Sequence, residues 1–138
     1  MREGAEISGS ETAAIKAVRT VFRAYADRNR AAIDEVLAED FHFSSPRDNR
    51  IDRATFFARC WPHSENIVDF RFVYLADDGE QVFATLEARN KKGYLFRNTE
   101  IWSFRHGKLV EAEVYFGWTL PHEALPGGFI DRPKGHAP

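Results

Sequence analysis

A change of period near the middle of the chain limits its fold more than any other feature. Up to Pro62 apolar residues recur at three- and four-residue intervals, and from Val68 onward they recur at every second residue. Ile15, Val18, Phe22 and Tyr25 share one face of a helix that ends near Asp27, with Ser8-Gly9-Ser10-Glu11 reading as a capping box ahead of it. Arg28-Asn29 breaks that helix, and Ala32, Ile33, Val36 and Leu37 mark a second, shorter one. Asp52 is the expected N-cap of a third, which carries Phe56, Phe57, Cys60 and Trp61 and is closed by Pro62. Between the second and third helices, Asp40 to Ser45 reads as a brief strand stopped by Pro46, and Arg47 to Ile51 as a polar loop.

Beyond Pro62 the alternation falls into four runs. Val68, Phe70, Phe72 and Tyr74 belong to the first; Asp77-Asp78-Gly79 turns it into Gln81 to Arg89. Asn90-Lys91-Lys92-Gly93 leads into Tyr94 to Phe104, and His106-Gly107-Lys108 into the last strand, with Val110, Ala112, Val114, Phe116 and Trp118 on one face. Three helices before a four-stranded antiparallel meander predict an α+β domain with helices packed on one side of a curved sheet. Residues 1–10 read as an N-terminal extension and 11–120 as the domain. Residues 121–138, which hold four of the six prolines, read as an irregular tail.

Glu100 stands in the third run on a face that reads Tyr94, Phe96, Asn98, Glu100, Trp102, Phe104. A carboxylate and an amide between aromatic groups suggest a pocket lined by the sheet, where lost hydration would push the carboxyl pKa up. In the opposite register Glu100 is a surface charge paired with an Arg. Glu87 and Arg89 share a face with Phe83 and Thr85, and either join Glu100 inside or pair with each other outside.

An aromatic content of 14% suits a large core or a cavity for an apolar ligand. The net charge of −2, with neither sign in a long run, argues against nucleic acid as a partner. Cys60 is the only cysteine, which excludes an internal disulfide, and its apolar setting reads as a structural thiol. No apolar stretch is long enough for a membrane span and Met1 to Glu6 has no signal core, so cytoplasmic residence is expected. No His-x-x-x-His, Cys-x-x-Cys, Gly-x-Gly-x-x-Gly or G-x-S-x-G occurs, so neither metal, nucleotide cofactor nor serine nucleophile is expected.

The order of elements, the helix-break-helix Tyr25 to Ile33, and Leu37-Ala38-Glu39-Asp40-Phe41 leading into a strand resemble the nuclear transport factor 2-like superfamily. The hairpin Trp102 to Glu111 followed by Val114-Tyr115-Phe116 is similar to its SnoaL-like branch. The resemblance implies a cone of curved antiparallel sheet with the three helices on its concave face, an apolar pocket, and a homodimer formed through the outer sheet face. Glu100 matches the place where ketosteroid isomerases carry an oxyanion-stabilising acid. The place of their general base is occupied by Ser45, and the last-strand carboxylate of limonene epoxide hydrolases is replaced by Gly117.

Together these readings predict a small cofactor-free protein that acts on or binds an apolar or aromatic carbonyl compound. Glu100 is the expected acid or base, assisted by Tyr25 or His63. Tyr25 is alternatively a core residue bonded to backbone, and His63 a solvated helix end. Phe43, Trp61, Phe72, Trp102 and Phe116 are the expected apolar walls, with Asn98 beside them; the same rings could instead fill the space. The alternative function is a non-catalytic ligand-binding or dimeric interaction domain.

Overall fold

The computed structural model describes residues 11–131; the capping box at Ser8–Ser10 and the end of the tail lie outside them. Helix α1 (Ala13–Asp27) begins at Thr12, whose hydroxyl accepts from the Ile15 amide at 3.2 Å. It ends at Arg28, which takes the left-handed conformation (φ 56°). Asn29 then caps helix α2 (Arg30–Val36) by accepting from the Ala32 amide. Strand β1 (Leu37–Ser45) follows directly, and helix α3 (Arg53–Arg59) is capped by Asp52, whose carboxylate accepts from Thr55 at 2.9 Å.

Two local expectations are corrected. Residues Arg47 to Ile51 do not form a loop: β2 (Asp48–Asp52) pairs antiparallel with β1, with Phe43 opposite Ile51. It is an edge strand, and an edge has no need of an alternating apolar pattern. Pro62 does not end the helical path either, because the chain continues as a 3-10 segment (Trp61–Asn66) with the proline in its first turn, where a missing amide hydrogen costs nothing.

Strands β3 (Ile67–Asp77), β4 (Gln81–Asn90), β5 (Leu95–Arg105) and β6 (Lys108–Leu120) form the antiparallel meander. The full sheet has six strands in the order β2-β1-β6-β5-β4-β3. It is mixed rather than wholly antiparallel, because β1 lies parallel to β6, with Phe43 beside Ala112. Irregularities in the β3–β4 and β5–β6 registers bend the sheet around the helices.

The helices cover one face of the sheet, and two apolar clusters lie between the layers. The larger joins Val18 and Val21 of α1 and Phe56 of α3 to Phe41, Trp102 and Leu109 of the sheet. The smaller gathers Phe22 against Phe72, Leu86 and Phe96. Phe22 is the hinge of both, with its ring 5.1 Å from Phe72 and 6.3 Å from Trp102. Among the described residues no helix is long and apolar enough to cross a membrane.

Candidate functional site

Regular pairing fixes which side chains of β5 face the helices. Glu100 stands opposite Ala84 on β4 and Val114 on β6, and Trp102 opposite Val82 and Ala112. Val82, Ala84, Trp102 and Ala112 are all buried, so this is the inner face and Glu100 lies on it. Glu100 is half-buried there.

One carboxyl oxygen of Glu100, Oε1, accepts from the Trp102 indole N–H at 2.9 Å. The other has no hydrogen-bond partner among the described residues. Desolvation pushes the pKa of Glu100 up to about 7, against the smaller downward pull of the Trp102 bond. The group therefore stands at the balance between acid and carboxylate near neutrality, with one oxygen free.

Tyr25 comes from α1, three residues after Phe22 and on the same helix face. Its hydroxyl donates to the carbonyl of Cys60 at 2.7 Å, and its ring meets Trp61 edge-on at 5.7 Å. Burial raises its pKa above the ordinary tyrosine range, with further upward contributions from Cys60 and Glu100. The Glu100 contribution brings these two groups into one electrostatic neighbourhood. The phenol stays protonated there and spends its hydrogen on backbone, leaving only its oxygen lone pairs for a ligand.

The other expected residues separate. His63 is exposed on the 3-10 segment, and no described contact brings it to Glu100. Phe72 and Trp102 are only 1% and 3% exposed and are packed into the two clusters. Phe43 lies against Phe56, while Phe116 is 51% exposed at the far end of the inner face. Among the described residues no ring contact joins any two of Phe43, Trp61, Phe72, Trp102 and Phe116. Asn98 is partly committed: its Oδ1 accepts from the Gly117 amide at 3.3 Å, which leaves its NH2 group free.

Glu87 lies on the opposite, outer face. Its side chain is 5% exposed and is held by Arg71, with N···O 3.1 Å, and by Arg97 through two bonds. Arg97 also lies over the Trp118 ring at 5.9 Å. Trp118 was expected on the Phe116 face; a register shift between Phe96/Asn98 and the paired β6 residues turns it to the other side. Gly117 sits in that shift, and a Cβ there would lie 2.3 Å from the Arg97 carbonyl oxygen.

Sequence reasoning missed two contributors. Phe22, read from the sequence only as a helix-face residue alongside Tyr25, joins the rings around the inner face. Asp48, assigned to a loop, is held by Ser45 Oγ at 2.8 Å and Arg59 Nε at 2.9 Å. Burial first, then the Asp48 charge, raises the Cys60 thiol to about 11, so it is not a ready nucleophile. Ser45 itself is occupied in the β1–β2 turn, donating to Asp48 and accepting from the Arg47 amide. Among the described residues no three His, Cys, Asp or Glu side chains are placed to share a metal ion.

Solved structures share this fold at low identity. A protein from Kribbella flavida DSM 17836 superimposes with a TM-score of 0.70 at 19% identity, over 78% of this chain and 88% of its own. An NTF-2 like protein of unknown function from Burkholderia xenovorans LB400 gives 0.67 at 22% identity, covering 80% and 85%. An LEH-like epoxide hydrolase of M. tuberculosis gives 0.63 at 17% identity, covering 76% and 83%. No curated protein matches the sequence. The SnoaL-like domain family matches over residues 18–112, well over half of the chain, and the helices, the bent mixed sheet and the inner-face site all fall within or directly beside that span: the chain belongs to the SnoaL-like domain family.

Proposed function

We propose that the chain takes a small apolar or aromatic carbonyl compound onto the inner face of its sheet, where Glu100 exchanges a proton with it in an isomerase-, cyclase- or dehydratase-type reaction. The observation that carries this reading is the state of Glu100: desolvated, poised near pH 7, one oxygen bonded to Trp102 and the other without a partner among the described residues. In its neutral form it donates to a carbonyl oxygen; in its ionised form it takes a proton from the adjacent carbon. Trp61 and Phe43 supply apolar surface, Asn98 offers an amide donor, and Tyr25 offers an acceptor. A free Cys60 thiol fits a reducing cytoplasm.

A specific observation favours a second reading, ligand binding without turnover. Tyr25 has spent its hydroxyl hydrogen on Cys60, and His63 is exposed, so Glu100 has no titrating assistant among them. Glu100→Gln separates the two. A set of apolar ketones and enones would be followed by proton exchange at the α-carbon in deuterated buffer and by tryptophan fluorescence. Loss of exchange with binding retained supports catalysis; binding without exchange in the parent chain supports the second reading; neither in the parent chain rejects both.

The same reading includes a homodimer through the outer sheet face. One row across four strands there is Tyr74, Thr85, Thr99 and Tyr115, with the two threonine hydroxyls 2.8 Å apart. Tyr74, Phe83, Tyr115 and Trp118 are exposed on it. Sedimentation equilibrium at micromolar concentration should give twice the chain mass.

A further inference from the structure

We infer that residues Pro121–Ile130 form a preshaped arm whose apolar tips, Leu125 and Phe129, bury against a second copy of this chain; the inference rests on the dimer reading above. The arm is anchored at its base and shaped by a turn within it. At its base His122 lies against Trp118, with ring centroids 5.7 Å apart, and its Nδ1 accepts from the Ala124 amide at 2.9 Å. Further along, Leu125-Pro126-Gly127-Gly128 closes a turn in which the Gly128 amide donates to the Leu125 carbonyl at 2.8 Å. Proline at the second position and glycine at φ 82° in the third are what a type II turn requires.

Despite these constraints the arm covers neither of its large side chains, since Leu125 and Phe129 are each 81% exposed. An arm that is fixed in shape but leaves its apolar groups in water is organised for a partner rather than for its own body. The Trp118 contact identifies the partner, because Trp118 belongs to the exposed aromatic set of the outer face and makes the arm its continuation. Tyr74, Phe83, Tyr115, Trp118, Leu125 and Phe129 together expose on the order of 700 Å², taking about 200 Å² for a large side chain in full. A stable interface takes roughly 800 Å² of total surface from each partner, and the arm adds about 300 Å² of apolar surface to what the sheet face alone offers. A patch that meets its own copy about a two-fold axis presents the arm and its receiving surface on both molecules at once.

The test is sedimentation equilibrium of the full chain, of Leu125→Ser/Phe129→Ser, and of Gly127→Val, which disturbs the turn and keeps both apolar tips. A dimer of the parent chain is expected, with a dissociation constant raised about a hundredfold in the double variant and about tenfold in the turn variant. Circular dichroism should show all three equally folded, since both tips lie outside the two clusters. A parent dimer whose double variant dissociates at the same concentration overturns the arm and leaves the sheet-face dimer standing. A parent chain that is monomeric at tens of micromolar overturns both. Equal dimerisation with arm-dependent flotation on phosphatidylcholine vesicles overturns the second copy in favour of a lipid surface.

Discussion

The indole N–H of Trp102 donates to Glu100 Oε1 at 2.9 Å, joining two side chains that stand two residues apart on the inner face of β5. The bond couples the floor of the core to an acidic group that faces the site. It also fixes which oxygen of Glu100 stays open.

Trp102→Phe removes that bond and its downward pull on the Glu100 pKa. The carboxyl pKa is expected to rise above about 7, read by carbon-13 NMR of the labelled side chain. The lost ring volume should cost roughly 1–3 kcal/mol in urea unfolding, since Trp102 is buried against Phe41 and Phe22. An unchanged pKa would show that the indole does not hold the carboxyl.

Glu100→Gln tests the desolvation itself. The folded pKa, about 7, lies above the ordinary 4.5, so the folded chain binds this proton more tightly than the unfolded chain. The resulting stability is complete below pH 4.5 and is lost as pH rises through 7, up to about 3 kcal/mol and less to the extent that water reaches the open oxygen. The glutamine variant should lack this slope and exceed the parent chain in stability at pH 8, with near equality at pH 4.5. Parallel slopes from pH 4.5 to 8 would rule out the raised pKa.

Glu87→Gln acts with the opposite sign. The Arg97 bonds hold this carboxyl below its ordinary range, with Arg71 adding to the effect against partial burial. Its stabilisation is present above the usual carboxylate pKa and disappears as pH falls through the folded value. At pH 7 the variant should lose about 1–3 kcal/mol, moderated because the Arg71 and Arg97 side chains are 56% and 30% exposed. The deficit should close on acidification, as measured by chemical denaturation at pH 7 and pH 3.

Gly117→Ala places a methyl group against backbone that cannot swing away, 2.3 Å from the Arg97 carbonyl oxygen. A loss of about 1–3 kcal/mol or more is expected, with thermal unfolding lowered by roughly 5 °C or more. The Asn98 bond to the Gly117 amide should weaken with it, visible as faster hydrogen exchange at that amide.

Features set by neighbours in sequence were legible. Asp52 caps α3 and Arg28-Asn29 separates α1 from α2 because each depends on a few adjacent backbone groups. The alternation of β5 carries Glu100 and Trp102 on one face without interruption. Features set at a distance were not. The parallel partner of Phe43 on β1 is Ala112, about 70 residues on, and no local signal announces it; that the Tyr25 hydroxyl reaches backbone was one of two readings open from the sequence, but not that the carbonyl is that of Cys60, 35 positions on. The polar run Asp48–Asp52 conceals an edge strand, and one shifted register at Gly117 was enough to turn Trp118 to the opposite face.

The pairing of β1 with β6 has a consequence for how the chain comes to be folded. Leu37 and Phe41 are buried beside a strand made almost last, so the early third of the chain cannot complete its sheet until residues near Leu109 and Ala112 have been synthesised. The β3–β4–β5 meander can form first from local turns, whereas closing β1 onto β6 brings together segments separated by about half of the sequence. Chains halted before β6 should therefore keep the meander's hairpins and leave the α2–β1 segment unpaired and open to proteases.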